Sequence, residues 1–150
     1  MELNGEKFLR SKFQTKGIRI GNQLSDLLSR YVESMDFFFI ATADKDGNCD
    51  CNFRGGSPAV KVLDETTLIF PDYPGNGAFH SLGNILENPH IGMIFIDFTH
   101  QQRLRINGSA EVLDDADLLA LFPGSIQVVK VTVEQVYRNC SALIPKFTKI

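Results

Sequence analysis

The 150-residue sequence has no tryptophan, only three cysteines and no apolar stretch long enough to cross a membrane. Its first residues lack the apolar core of a secretory signal. The formal net charge of −3 argues against a nucleic-acid-binding surface, because neutralising phosphates needs clustered cations. These absences predict a cytoplasmic protein that binds neither nucleic acid nor membrane.

Metal binding is also poorly supported by the residue pattern. The candidate ligands are Cys49, Cys51, Cys140, His80, His90 and His100. An odd number of cysteines without a signal indicates reduced thiols. The two neighbouring cysteines share one strand face with nothing evident to complete four ligands, and the histidines are scattered. We therefore predict no metal site.

Length and composition fit one domain, residues 1–150. Apolar alternation and short apolar runs predict strands at 37–43, 49–53, 59–63, 67–70, 91–98, 103–113 and 128–137. Helical periodicity and stop signals predict helices at 24–35, 78–87 and 114–122. Short turns between successive strands predict antiparallel pairing.

We therefore predict a mainly β fold, an antiparallel split β-barrel with three short peripheral helices, because closing a sheet removes its exposed edges. Asn22 or Gly21 is the expected cap of the first helix. The strand at 91–98 is almost wholly apolar, which indicates burial on both faces. This strand and the aromatic run at 37–39 exceed what a small barrel can bury, so we predict a homodimer.

A glycine-rich turn at 71–77 leads into the predicted helix at 78–87. A helix N-terminus offers unpaired N–H groups and a positive partial charge, which suit a phosphate. Asn76 can cap the helix or donate to an anion, and Ser81 and Asn84 share one helical face. Taken alone, the same pattern also fits a capped helix with ordinary polar surface.

Four basic side chains complete the candidate site. Arg54 and Lys61 flank the segment 55–58, an arrangement that fits phosphate recognition or two solvated charges. Arg103 and Arg105 share one strand face. Cations there would stabilise an anionic reduced flavin, although an exposed polar strand face explains them equally well.

Three sequence blocks carry a resemblance to a known family: KVLDETTLIF at 61–70, NPHI at 88–91 and QRLRING at 102–108. Their order resembles the FMN-binding core of the pyridoxamine 5'-phosphate oxidase-like split-barrel flavoproteins, over about residues 37–113. The block GNGAFHSLGNI at 75–85 and the tail VTVEQVYRNC at 131–140 are similar to a branch described as FMN-dependent enzymes without an assigned substrate.

The resemblance implies a split-barrel homodimer with FMN at the subunit interface. It implies that Lys61 lies near the phosphate or ribityl chain, and that Arg103 occupies a position where the oxidases have a glutamine that meets the flavin ring. The residues predicted to bind the cofactor are Arg54, Gly55, Lys61, Asn76, Ser81, Asn84, Gln102, Arg103 and Arg105.

Two departures from the family pattern limit the functional prediction. His80 and Ser81 stand where the oxidases have an Arg-Lys pair for phosphate. The C-terminal Arg-x-His segment that grips pyridoxamine phosphate is absent, so pyridoxal phosphate synthesis is rejected.

The preferred function is an FMN-dependent oxidoreductase of unknown substrate, with a small molecule or nicotinamide donor as partner and no catalytic side chain named. The alternatives are a non-catalytic flavin-binding or storage protein and a haem-handling split barrel with a histidine axial ligand.

Overall fold

The computed structural model describes residues 3–75, 77–138 and 142–150. The strands of this part of the chain are β1 (Phe37–Ala43), β2 (Cys49–Gly55), β3 (Lys61–Asp64), β4 (Thr67–Asp72), β5 (His90–Asp97), β6 (Gln102–Leu113) and β7 (Gln127–Arg138). The helices are α1 (Asn4–Phe13), α2 (Asp26–Ser34), α3 (His80–Glu87) and α4 (Ala116–Leu119). None of the helices in the described residues is long enough and apolar enough to cross a membrane.

The strands form one antiparallel sheet in the order β2-β1-β5-β6-β7-β4-β3. β1 and β4 lie four positions apart in this order, yet the rings of Phe38 and Phe70 are only 5.3 Å apart. The sheet must therefore wrap around its own core. Its edge strands, β2 and β3, do not pair with each other within the described residues. The prediction of a mainly β, antiparallel split barrel is confirmed, without a closed ladder.

The core is filled by the inward-facing side chains of the strands and by one face of α2 and α3. Its largest fully buried members include Phe38, Phe70, Phe95, Leu104 and Ile106. The alternation of β6 contributes to this packing, because every second side chain points inward, whereas on β7 the alternation is interrupted and Val128 and Val129 are both buried. A β-bulge between Asn107 and Gly108 interrupts the β6–β7 ladder, where a Cβ on Gly108 would collide with the Thr132 carbonyl.

The predicted burial of the 91–98 strand on both faces was wrong for the single chain. Ile91, Met93 and Phe95 are buried, whereas Gly92 and Ile94 are only half-buried. The strand is apolar on its outer side as well, so its composition indicated two covered faces although the chain covers only one.

The helices differ from the prediction in number and in their caps. The structure adds α1, which the sequence patterns did not predict and which buries none of its residues. The expected cap at Asn22 or Gly21 was wrong, because α2 begins at Asp26 and Ser25 caps it by accepting from the Leu28 N–H at 3.2 Å.

The two later helices are also shorter than expected. α3 starts at His80 rather than 78, and Phe79 at its N-cap has a left-handed backbone and makes no side-chain cap hydrogen bond. α4 spans only Ala116–Leu119 of the predicted 114–122. After Leu119 the chain continues in tight turns, in which Leu121 N–H donates to the Leu118 carbonyl and Phe122 N–H to the Leu119 carbonyl.

Candidate functional site

Four adjacent strands, β2, β1, β5 and β6, present an outer face that the chain itself leaves open. Ladder register aligns Cys51, Ala41, Gly92 and Asn107 in one row across these strands. The neighbouring row on β1, β5 and β6 carries a phenylalanine, an isoleucine and Arg105. Small residues in the first row and larger ones beside it leave a depression in the sheet surface.

This depression, the outer hollow, has a volume of about 240 Å³. Its floor includes Ala41 and Gly92, and its far wall includes Arg103, Arg105 and Asn107. A Cβ at Gly92 would lie 3.3 Å from Asn107 Oδ1 and 3.8 Å from Ala41 Cβ. The absence of a side chain at Gly92 therefore keeps the hollow open.

A second depression, the helix hollow, lies where the turn after β4 meets the start of α3 and has a volume of about 370 Å³. Its lining includes Cys51, Arg54, Asp72, Gly75, Gly77 and His80. The sequence-predicted turn and Arg54 thus border one shared cavity.

Cys51 lines both hollows, so the two depressions meet at β2. Three interstrand steps separate Cys51 from Asn107 on β6. At about 4.8 Å a step, the outer hollow extends about 14 Å across the sheet from the point where the helix hollow begins. Along β2, Arg54 shares the inward-facing side with its partner Phe38, whereas Cys51 shares the outer face with Ala41, so the two hollows open on opposite sides of this edge strand. We call the two hollows and the strand edge between them the trough, which has a polar end at α3 and a cationic end at β6.

Arg54 is held at the polar end by a network of long-range contacts. Its Nη1 donates to Asp72 Oδ1 at 3.1 Å, and Gln127 Nε2 donates to the other carboxylate oxygen at 3.0 Å. The guanidinium carbon lies 5.9 Å from the ring centre of Phe70. Arg54 Nε is buried and has no hydrogen-bond partner among the described residues. One donor of this fixed guanidinium therefore stays unused.

The cationic end of the trough also contains a buried arginine nitrogen without a partner in the described residues. Arg103 Nε is also buried without a hydrogen-bond partner in the described part of the chain. Arg105 lies beside it on the same face of β6, with its guanidinium carbon 4.9 Å from the Tyr137 ring centre. An unpaired buried donor costs free energy, so each end of the trough favours a ligand that accepts a hydrogen bond.

Ser81 and Asn84 lie on one face of α3, as predicted, and this face is buried against β1 and β2. The Ser81 hydroxyl donates to Asp50 Oδ2 at 2.9 Å and accepts from Asn52 Nδ2 at 3.3 Å. Asn84 Nδ2 donates to Thr42 Oγ1 at 3.1 Å. These hydrogen bonds fasten the helix to the sheet beside the helix hollow.

The remaining predicted residues lie in different places. Lys61 lies on the edge strand β3, paired with Ile69 on β4, and does not line either hollow. Gly55 ends β2 opposite Phe37, and Gln102 is exposed at the start of β6. Asn76 lies outside the described residues. The structure thus brings Arg54 to the helix hollow and Arg103 and Arg105 to the outer hollow.

Sequence reasoning missed three residues that shape the trough: Cys51, Asp72 and Gly92. Asp72 neutralises Arg54 through a contact 18 residues away along the chain, which no local pattern indicates. Gly92 had a signal, since it is the smallest residue in an otherwise bulky strand and a strand glycine often marks a close approach.

The three histidines differ in their surroundings. His80 lines the helix hollow, His90 is exposed, and His100 Nδ1 lies 2.8 Å from Asp97 Oδ2. Burial raises the pKa of Asp97, but hydrogen bonds from the backbone and ring of His100 outweigh it and hold that pKa below its usual range. The described residues contain no group of three or more histidines, cysteines or carboxylates placed to hold a metal ion.

The fold and its two joined hollows define an antiparallel split-barrel protein with an open outer face. The family model described as "Pyridoxamine 5'-phosphate oxidase" matches residues 24–140. The chain therefore belongs to the pyridoxamine 5'-phosphate oxidase family, as the sequence resemblance indicated.

Solved structures share the fold at low sequence identity. A putative pyridoxamine 5'-phosphate oxidase from Lactobacillus delbrueckii is 24% identical with a TM-score of 0.63, covering 78% of this chain and 95% of its own. An FMN-binding protein from Syntrophomonas wolfei is 8% identical with a TM-score of 0.54, covering 89% and 96%.

The haem storage protein HutZ from Vibrio cholerae has the same fold, with 11% identity, a TM-score of 0.56 and coverage of 77% of this chain and 94% of its own. Among curated proteins, the comparison found no match.

Proposed function

We propose that this protein binds FMN in the trough and acts as an FMN-dependent oxidoreductase whose substrate is not yet known. The observation that carries the proposal is the pair of hollows that meet at Cys51, each lined by an arginine whose buried Nε has no hydrogen-bond partner in the described chain. FMN has acceptors at both ends, on its phosphate and on its ring. Family membership and the FMN-binding protein of the same fold support the choice of ligand.

The helix hollow fits the phosphate end. Gly75 and Gly77 keep the turn free of side chains beside the cavity, and Arg54 offers its unused donor. The carboxylates nearby are already engaged, Asp72 by Arg54 and Asp50 by Ser81. The ion pair with Arg54 offsets the charge of Asp72, whereas the hydrogen bond from the neutral Ser81 hydroxyl leaves Asp50 charged.

The outer hollow fits the ring end. The flat floor made by Ala41 and Gly92 suits a planar group, and Arg103 and Arg105 lie at its margin. Bound FMN would supply two-electron redox chemistry, and cations at the ring margin would favour its reduced, anionic form. The chain's own contribution is to bind, orient and tune the cofactor.

We also propose a two-fold homodimer formed through this outer face. Phe37, Phe39 and Phe53 cluster there with ring centres 5.8 to 6.0 Å apart, and Phe53 remains 57% exposed. An exposed aromatic cluster is typical of an interface. Light scattering at micromolar concentration should give the dimer mass, and a monomer would overturn this part of the proposal.

A cytoplasmic location is inferred from Cys49 and Cys51, which are both free and exposed. Such thiols persist where the compartment is reducing.

The direct test is a titration of FMN and of riboflavin into the purified protein, followed by flavin fluorescence. Because the helix hollow provides the anion end, FMN should bind at least about tenfold more tightly than riboflavin. Arg54→Lys should narrow that difference while keeping the charge beside Asp72. Failure to bind FMN, or equal affinity for both flavins, would refute the proposal.

Two further measurements test the alternative functions, flavin storage and haem binding. Turnover after a nicotinamide donor bleaches the bound flavin would separate an oxidoreductase from a flavin-storage protein. The haem alternative has the HutZ likeness as its support, and it requires a Soret band on haem addition that a single histidine substitution abolishes.

A further inference from the structure

A third cavity, the N-terminal cavity, lies between α1, the connection that follows it, and the outer side of β6 and β7. Its volume of about 800 Å³ falls in the range of pockets that hold a whole small-molecule ligand. Glu6 and Arg10 line it from α1, Lys16 from the connection, and Arg105 and Tyr137 from the sheet.

The charges around the N-terminal cavity favour an anion. Arg10, Lys16 and Arg105 face the carboxylates of Glu6 and Glu134. Arg10 already pairs with Glu6 at 3.4 Å within α1. The net charge of the lining side chains is therefore +1, which suits a ligand that carries phosphate groups.

The same lining offers a flat surface. Arg105 and Tyr137 are opposite each other in the β6–β7 ladder, and the guanidinium lies 4.9 Å from the ring centre. A stacked guanidinium and phenol can accept a planar ring against them.

Arg105 lines both the N-terminal cavity and the outer hollow. A ligand in the N-terminal cavity would thus lie next to the position proposed for the flavin ring. We propose that this cavity binds a reduced nicotinamide dinucleotide, whose phosphates and flat rings match its charge and its surface. The inference rests on the proposed FMN function. Other anionic ligands with flat rings would match the same cavity, and we choose a reduced nicotinamide dinucleotide because the cavity adjoins the proposed flavin site.

The exposure of α1 agrees with this assignment. α1 buries no residue, and its side chains Phe8 and Phe13 are each 66% exposed. The chain turns back at Gln14, whose backbone is left-handed, so the connection runs beside Arg10. A ligand between this arm and the sheet would add the contacts that the arm lacks.

The test is a titration of NADH and of NADPH into the protein with and without FMN, read by nicotinamide fluorescence, for which the tryptophan-free chain gives a low background. We expect saturable binding of at least one of the two. The double variant Arg10→Gln/Lys16→Gln should weaken it by about tenfold or more. Lys12→Gln, on α1 but outside the cavity lining, should leave it unchanged.

Hydrogen exchange provides a readout that is independent of turnover. Amides of α1 should exchange rapidly in the free protein and more slowly with the dinucleotide bound. No binding of either dinucleotide, or equal binding by the double variant and wild type, would overturn the inference. FMN titration of the same samples keeps the two proposals apart, because FMN binding without dinucleotide binding refutes only this one.

Discussion

The inner and outer faces of β1, β5 and β6 belong to the same strands but have opposite properties. Inside, Phe38 lies 5.1 Å from the Phe95 ring and 5.3 Å from the Phe70 ring, and all three side chains are fully buried. Outside, Ile94 and Arg105 are half-buried beside an open hollow. The inner face is closely packed by the chain, whereas the outer face keeps an open hollow and the unpaired Nε of Arg103.

This contrast indicates where function lies in the molecule. Close packing leaves no room for a ligand on the inner face, and a substitution that changes side-chain volume there alters the stability of the fold. The outer face keeps Gly92 without a side chain and Arg103 Nε without a partner, at a cost that packing alone does not explain. A ligand that fills the gap and accepts the hydrogen bond would account for both.

The largest expected effect is a loss of stability, and it should differ between two neighbouring residues whose side chains lie on opposite faces of β5. Phe95→Ala should lower the free energy of unfolding by about 3–5 kcal/mol, because it opens a cavity in the core. Ile94→Ala, on the outer face, should cost about 1 kcal/mol. Urea unfolding at matched protein concentration measures both. Equal losses would mean that the outer face is as tightly packed as the core.

Filling the outer hollow should separate stability from flavin binding. Gly92→Val places a branched side chain over the floor, so FMN affinity should fall by at least about tenfold while urea unfolding stays close to wild type. Ala43→Val, on the same face of β1 but outside the hollow, is the matched control. Normal FMN affinity in Gly92→Val would exclude the outer hollow as the ring site.

The unused donor of Arg103 gives a more conservative change. Arg103→Lys keeps the charge and removes Nε, so FMN affinity should fall by about tenfold with little change in stability. Arg138→Lys, at the end of β7 and outside the trough, provides the control. If Arg103→Lys instead destabilised the free protein and left FMN binding intact, the guanidinium would be a structural group.

A substitution of Ser81 tests whether this residue stabilises the fold or contacts the cofactor. Its hydroxyl is occupied by Asp50 and Asn52, so Ser81→Ala should cost about 1–2 kcal/mol of unfolding free energy. FMN affinity should change by less than about threefold. A clear loss of FMN affinity without a loss of stability would instead support direct contact with the cofactor, as the sequence predicted.

The smallest effect concerns the hairpin between β1 and β2. Hydrogen bonds from the side chain and backbone of Asn48 hold the pKa of Asp44 below its ordinary value of 3.8. A lowered pKa in the folded state stabilises the protein above the unfolded value, and this contribution disappears as pH falls through the folded value.

Asp44→Ala should therefore be less stable than wild type at neutral pH, with a difference that narrows in acid below pH 3.8. Thermal unfolding across this pH range measures it, and FMN affinity at neutral pH should be unchanged because the hairpin tip lies outside both hollows. A difference that stayed constant in acid would show that ionisation of Asp44 is not its cause.

Sequence patterns predicted the sheet well because alternation is a local property. The strand at 103–113 was recovered with its two faces assigned correctly, and the turn at Asp44 to Asn48 has Gly47 at a positive φ of 87°, as expected. The helix α1 was missed because its apolar residues form no buried stripe, so periodicity gave no core-facing signal.

The site was harder to predict because it depends on long-range contacts. The sequence identified Ser81 and Asn84 as one helical face but could not indicate that this face turns toward β1 and β2. It identified Arg54 but could not indicate its pairing with Asp72 across the sheet. Which face of an element is covered is decided by tertiary packing, which periodicity alone does not contain.

The central claim, that FMN lies in the trough where the two hollows meet, is tested most directly by thiol labelling. Cys51 lines both hollows, whereas Cys49 lies two residues away on the same strand and lines neither. In a chain with Cys140→Ser, FMN should slow labelling of Cys51 and leave Cys49 unaffected. Labelling of both thiols at unchanged rates in saturating FMN would contradict the account.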